Sequence, residues 1–189
     1  MIKTYKNIVA YCGRNYTLLP LALHVNNKID EVFAFNQPLE KDEIVRQDNI
    51  ANLDVFNLYS IPKTLLATLK EQYPQAVICH QASVFIEKSL EKQDIEKQLF
   101  IEVYSGFFYA NITQNGKLLF SNAFEYANTE EFIYFVLNIF DKFGLNQLET
   151  KLHISGEINK KDKKAGILKD YIKYIEICVS SAENSRAGA

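Results

Sequence analysis

The chain has 189 residues, 48% hydrophobic and 23% charged, with 21 basic and 23 acidic side chains and a formal charge of -2. That size and balance suit one large or two small globular domains with a full core, and give no electrostatic footprint for nucleic acid or an anionic membrane. No stretch reaches the roughly 18 uninterrupted apolar residues that span a bilayer, the best run, Phe132 to Phe140, being broken by Asn138. The apolar Ile8 to Cys12 is too short for a signal-peptide core. Three cysteines, Cys12, Cys79 and Cys178, lie far apart in an odd number, the usage of a reducing, cytoplasmic compartment.

In chain order, Lys6 to Cys12 and Asn15 to Leu19 read as extended segments around a turn at Gly13-Arg14-Asn15. Pro20 to Phe35 reads as a polar-faced helix ending before Gln37-Pro38. Glu43 to Gln47 and Leu53 to Ser60 follow as strands. In the second, Leu53, Val55, Asn57 and Tyr59 share one face and Asp54, Phe56, Leu58 and Ser60 the other, so both faces expect burial. Pro62 suits the first position of a helix that turns Leu65, Leu66 and Leu69 inward and stops at Tyr73-Pro74. A strand at Ala76 to His80 and a helix at Ser83 to Lys92 complete what reads as a parallel-sheet pattern.

The remainder carries stronger signals. Leu99, Ile101 and Val103 alternate with Phe100, Glu102 and Tyr104, and Asn115-Gly116, a type I′ turn pair, joins Phe107–Gln114 to Lys117–Tyr126. Asn128-Thr129-Glu130-Glu131 forms a capping box before Phe132, Phe135, Val136, Ile139, Phe140 and Phe143, which repeat at helical period until Gly144. Strand Thr150 to Ser155, helix Asp162 to Tyr171 and strand Tyr174 to Val179 follow. Ser180 to Ala189 is small, polar and expected to fray. Meander, helix, strand, helix, strand is the plan of a ribonuclease H-like unit.

The segments Tyr16-Thr-Leu-Leu-Pro20, Phe35-Asn-Gln-Pro38-Leu, Asn52-Leu-Asp54, Tyr59-Ser-Ile-Pro62-Lys, His80, Asn122-Ala-Phe124-Glu125-Tyr126 and Ser155-Gly156-Glu157 resemble the DUF3822 family, from about Tyr16 to Val179. This is an uncharacterised family of Bacteroidota proteins; a more distant likeness is to the pilus-assembly protein PilM and the cell-division protein FtsA. The resemblance implies an α/β, actin-like ATPase (ribonuclease H-like) fold, with mixed sheets, flanking helices and two subdomains facing a nucleotide cleft. It implies a partial first subdomain over 1–95, a second over 96–179 and a flexible tail over 180–189. The first would be incomplete, because the opening meander and helix of the fold would lie upstream of Met1. An exposed sheet edge there leaves a homodimer open.

Active members of the fold carry an Asp-x-Gly loop with a following hydroxyl residue, in which Asp organises Mg²⁺ and water and Gly lets the backbone wrap the phosphates. The matching stretch here is Glu102-Val103-Tyr104-Ser105-Gly106-Phe107-Phe108. It puts Glu102 in the Asp position, Tyr104 in the Gly position and phenyl rings in place of hydroxyls. The adenosine-side loop reads Ser155-Gly156-Glu157 instead of Gly-Gly, and Glu157 repels phosphate. Seven glycines in all, about half the usual frequency, point the same way. The expectation is no cofactor, ATP–Mg²⁺ included, and a degenerate, non-hydrolysing actin-like protein that acts as a scaffold for an unidentified protein partner, with no nucleic acid and no membrane insertion. The alternative is a nucleotide-binding ATPase or switch.

Other motifs read as structural. A nuclease would need a third carboxylate beside Glu102 and Glu125. Cys79 and His80 are strand neighbours and point to opposite faces. His24, His80 and His153 lack metal-ligand spacing, and His153 stands where a nucleophile elbow at Ser155 would need Gly. Lys160, Lys161, Lys163 and Lys164 flank Asp162 as a solvated helix entry. Phe107, Phe108 and Tyr109 are consecutive, so one face of their strand presents aromatics to a partner or to a second core layer.

Overall fold

A computed structural model of the chain describes residues 7–24, 28–50 and 53–178. The chain forms two compact units, Met1–Lys88 and Ser89–Ala189.

The first unit contains β1 (Ile8–Tyr11), β2 (Tyr16–Pro20), α1 (Ile29–Asn36), β3 (Glu43–Asn49), β4 (Val55–Pro62), α2 (Lys63–Gln72) and β5 (Val77–His80), and leads into α3 (Gln81–Glu91), within which the division falls. β4 is the middle strand of an antiparallel sheet ordered β2-β4-β3, and β1 pairs in parallel with β5. The parallel pattern expected of Leu53 to Lys92 is therefore corrected in its first strand, since β4 runs against both of its neighbours, while β5 does pair in parallel, with β1. Burial on both faces was the sound part of that reading, because residues 57–61 are all buried. Such a pattern does not encode the direction of the flanking strands, which explains the error.

Smaller corrections fall on the helices. Leu21–Leu23 is a single 3-10 turn and α1 starts only at Ile29, turning Phe33 onto Leu19, Val45 and Leu58; residues 25–27 lie outside the described residues. Pro62 ends β4 and caps α2 instead of opening it, and α2 buries Leu66 while Leu65 faces out. α3 begins two residues before the expected Ser83.

In the second unit β6 (Gln98–Tyr104), β7 (Phe107–Gln114) and β8 (Lys117–Glu125) form an antiparallel meander. α4 (Thr129–Lys142), β9 (Lys151–Gly156), α5 (Lys163–Tyr171) and β10 (Tyr174–Ile177) follow. The sheet order is β10-β9-β6-β7-β8, with β9 parallel to β6 and β10 parallel to β9. This is the ribonuclease H-like plan, meander first and crossovers after. Leu99, Ile101 and Val103 of β6 join Phe108, Ala110 and Ile112 of β7 in one core with the inner faces of α4 and α5.

The local signals act as chemistry dictates. Asn115 and Gly116 both take positive φ, 49° and 69°, as a type I′ turn demands. The register slips once, between Ile112 and Thr113. Asn128 Oδ1 accepts the Glu131 N–H at 2.9 Å and the Glu131 carboxylate accepts the Ala127 N–H at 2.8 Å, a reciprocal cap. Phe108 faces the helices; Tyr109, on the other face, is fully buried, so of the two roles open to these aromatics the core one holds for it. The tail Ser180 to Ala189 and Val179 lie outside the described residues.

Candidate functional site

The parallel ladder between β6 and β9 sets Glu102 beside Ser155 and Val103 beside Gly156. The six positions singled out in the sequence, Glu102, Tyr104, Gly106, Ser155, Gly156 and Glu157, thus gather at the carboxyl ends of two adjacent parallel strands. Ligands of α/β sheets usually sit at such an edge.

Packing contacts fill this edge. β6 passes into β7 through only two residues, Ser105 and Gly106, with Tyr104 and Phe107 as the closing pair. Their rings stack at 5.0 Å, and each meets Tyr109 edge-on, at 5.6 and 5.4 Å. Tyr126 fastens the turn from below: its hydroxyl donates to the Tyr104 carbonyl at 2.6 Å and its N–H to the Gly106 carbonyl at 2.9 Å. A two-residue turn offers few outward amides, whereas a phosphate cradle needs several converging on one point.

Gly156 is required, with φ +88°, but for strand packing. A Cβ there would stand 2.2 Å from the Val103 carbonyl oxygen. The Glu157 N–H donates to that same oxygen at 2.7 Å, and Ser155 Oγ donates to the Ile101 carbonyl at 3.3 Å. Glu157 itself is exposed. Glu125 pairs with Phe107 and Glu102 with Tyr109, so β7 lies between the two carboxylates. Among the described residues no group of three His, Cys, Asp or Glu side chains is placed to hold a metal ion. The lysine-rich entry of α5 is engaged: Lys163 pairs with Glu130 at 3.4 Å and Lys164 lies 5.3 Å over the Tyr126 ring.

Two polar clusters escaped the sequence reading. In the first unit the Asp48 carboxylate accepts the His80 N–H and the Ser83 hydroxyl, both at 2.7 Å, and Asn57 Nδ2 donates to Ser83 Oγ at 2.9 Å. His80 Nδ1 accepts the Ala82 N–H at 3.2 Å, and the ring is packed by Tyr59, Tyr16 and Tyr11. Burial pushes His80 down to about 3, against a backbone hydrogen bond with Gly13, and raises Asp48. Ser, His and Asp meet here, yet the Ser83 hydroxyl points to Asp48 and not to the imidazole, so no nucleophile–base pair forms. Burial also pushes the Cys79 thiol up to about 11, the state of an inert thiol. The β3–β4 register sets Asp48 opposite Asn57, a long-range pairing that the sequence does not display, and nothing in the spacing foretells His80. The second cluster surrounds His153.

The chain has the actin-like ATPase fold. A crystal structure from Bacteroides thetaiotaomicron VPI-5482, of a protein with actin-like ATPase fold and unknown function, is similar at TM-score 0.79 and 27% identity, over 88% of this chain and 66% of that one. The present chain thus spans just under two thirds of that protein's length. The PilM-PilN type IV pilus biogenesis complex is similar in fold at TM-score 0.55 and 11% identity, over 89% of this chain and 68% of that one. The chain belongs to the DUF3822 family, whose model, that of a protein of unknown function, matches residues 1–175. No curated protein matches the sequence. No helix among the described residues is long and apolar enough to cross a membrane.

Proposed function

We propose that the protein is a degenerate, non-hydrolysing member of the actin-like class, working in the cytoplasm as a scaffold that binds another protein and needing no nucleotide. The observation that carries this reading is the two-residue β6–β7 turn closed by the Tyr104–Phe107 stack. This supports the reading because rings then stand where the family resemblance puts the bare backbone of a phosphate loop, and Glu157 adds a negative charge at the adjoining strand end. Among proteins of the same fold, PilM is seen in complex with PilN, which supports a protein partner as the kind of ligand.

The test is the melting temperature of the full natural protein with and without millimolar Mg²⁺–ATP. A ligand at ~100 times its Kd stabilises by about 2.7 kcal/mol, roughly 5–10 °C for a chain of this size. No shift is expected. A shift of that order would overturn the reading in favour of a nucleotide switch.

A further inference from the structure

At the starting ends of β6 and β9, the opposite end of the ladder from Glu102 and Ser155, lies a hollow of about 460 Å³ lined by Lys92, Asp94, Gln98, Lys151, His153 and Glu176. His153 is buried, with Phe100 stacked flat on its ring at 4.5 Å and 13°. Its proton inventory follows from its neighbours. Gln98 Nε2 donates to the Asp94 carboxylate, which leaves Gln98 Oε1 facing His153 Nε2 at 2.8 Å. That oxygen can only accept, so Nε2 carries a hydrogen.

Nδ1 is contested. The Lys92 ammonium lies 3.1 Å from it and needs a lone pair there; the Glu176 carboxylate lies 2.9 Å from it and needs a hydrogen. Lys92 and Glu176 are themselves 3.1 Å apart. One nitrogen cannot satisfy both.

We propose that His153 is a proton-operated switch, at which Lys92, on the segment following α3, and Glu176, on the edge strand β10, exchange the hydrogen bond to Nδ1. With the imidazole neutral, Lys92 donates to Nδ1 and ties its segment to β9. With the ring protonated, Nδ1–H donates to Glu176, and the Lys92 ammonium, a like charge at contact distance, is displaced. The other charged groups facing the ring are Lys151, on its own strand, and Asp94, which pair at 3.5 Å. Burial first, then the Lys92 charge, push the ring below its ordinary 6.5 while Glu176 opposes, so the exchange lies on the acid side of that value. It stands independently of the scaffold reading.

The experiment is ¹⁵N NMR of the His153 ring on the full chain from pH 8 to 5, with amide exchange measured alongside. The expected results are an Nε2–H tautomer at pH 8 and a protonation midpoint below 6.5. On acidification, amide protection, corrected for the fall of intrinsic exchange with pH, should drop in residues 92–97 and rise in Tyr174–Ile177. K92M should raise the midpoint and E176Q lower it, each by at least ~0.3 unit; both side chains are about half exposed, 44% and 56%, and tolerate replacement. An Nδ1–H tautomer at pH 8, a midpoint that ignores either variant, or protection in the two segments that does not follow the titration would overturn the proposal.

Discussion

Gly156 and Val103 are ladder partners so close that any side chain at 156 would overlap the Val103 carbonyl oxygen, at 2.2 Å from its Cβ. This contact seats the end of β9 against β6 and lets the Glu157 N–H reach the same oxygen. Gly156→Ala must both adopt φ +88° and push the strands apart. The expected loss is about 2–4 kcal/mol, seen as a melting temperature lower by roughly 5–15 °C. An unchanged melting temperature would show that the strand ends are not seated in this way.

Asn128 caps α4, the helix that supplies Phe132, Val136 and Phe140 to the core. Asn128→Ala should destabilise the protein by about 1 kcal/mol, while Asn128→Asp or Asn128→Ser should retain most of the stability. Urea midpoints decide it: equal losses in all three variants would refute a capping role.

Acid should weaken the first unit through His80. The unfolded chain takes up that proton near 6.5, whereas the folded ring resists down to about 3. Its contribution is therefore full above pH 6.5 and is lost as the pH falls from there towards 3. Asp48, raised by burial above its ordinary 3.8, acts with the opposite sign from pH 3.8 upward. Unfolding free energies at pH 7 and pH 5 should differ less in His80→Gln than in the natural chain. Equal differences in both would remove His80 as the cause.

The Tyr126 hydroxyl, 2.6 Å from the Tyr104 carbonyl, pins the β6–β7 turn. Tyr126→Phe should cost about 1 kcal/mol and speed amide exchange at Ser105 and Gly106. If neither changes, the aromatic stack alone holds the turn.

The second unit was largely legible from the sequence because its signals are local. Asn115-Gly116, the Asn128 cap and the helical period of Phe132 to Phe143 each act within a few residues, and each does what its chemistry requires. The first unit was harder because its decisive facts are long-range. β5 finds its partner in β1 rather than in β4, and Asp48 meets His80 across 32 positions. The strand-end positions are legible as a degenerate adenosine-side loop at Ser155-Gly156-Glu157, but the close approach of Gly156 to Val103 is not, because it joins residues more than fifty positions apart. His153 was dismissed for lacking metal-ligand spacing, and its company of Gln98, Lys92 and Glu176 comes from strands and a segment far apart in the chain.

The register slip between Ile112 and Thr113 sets an extra residue, Leu119, into β8, the last strand of the five-stranded sheet. Such a bulge twists the strand and breaks the even row of amides and carbonyls along its outer side. A second strand arriving there would find a template out of step with its own spacing. An irregular edge of this kind disfavours edge-to-edge pairing with another sheet, so main-chain addition of a strand is the form of association that this flank supports least.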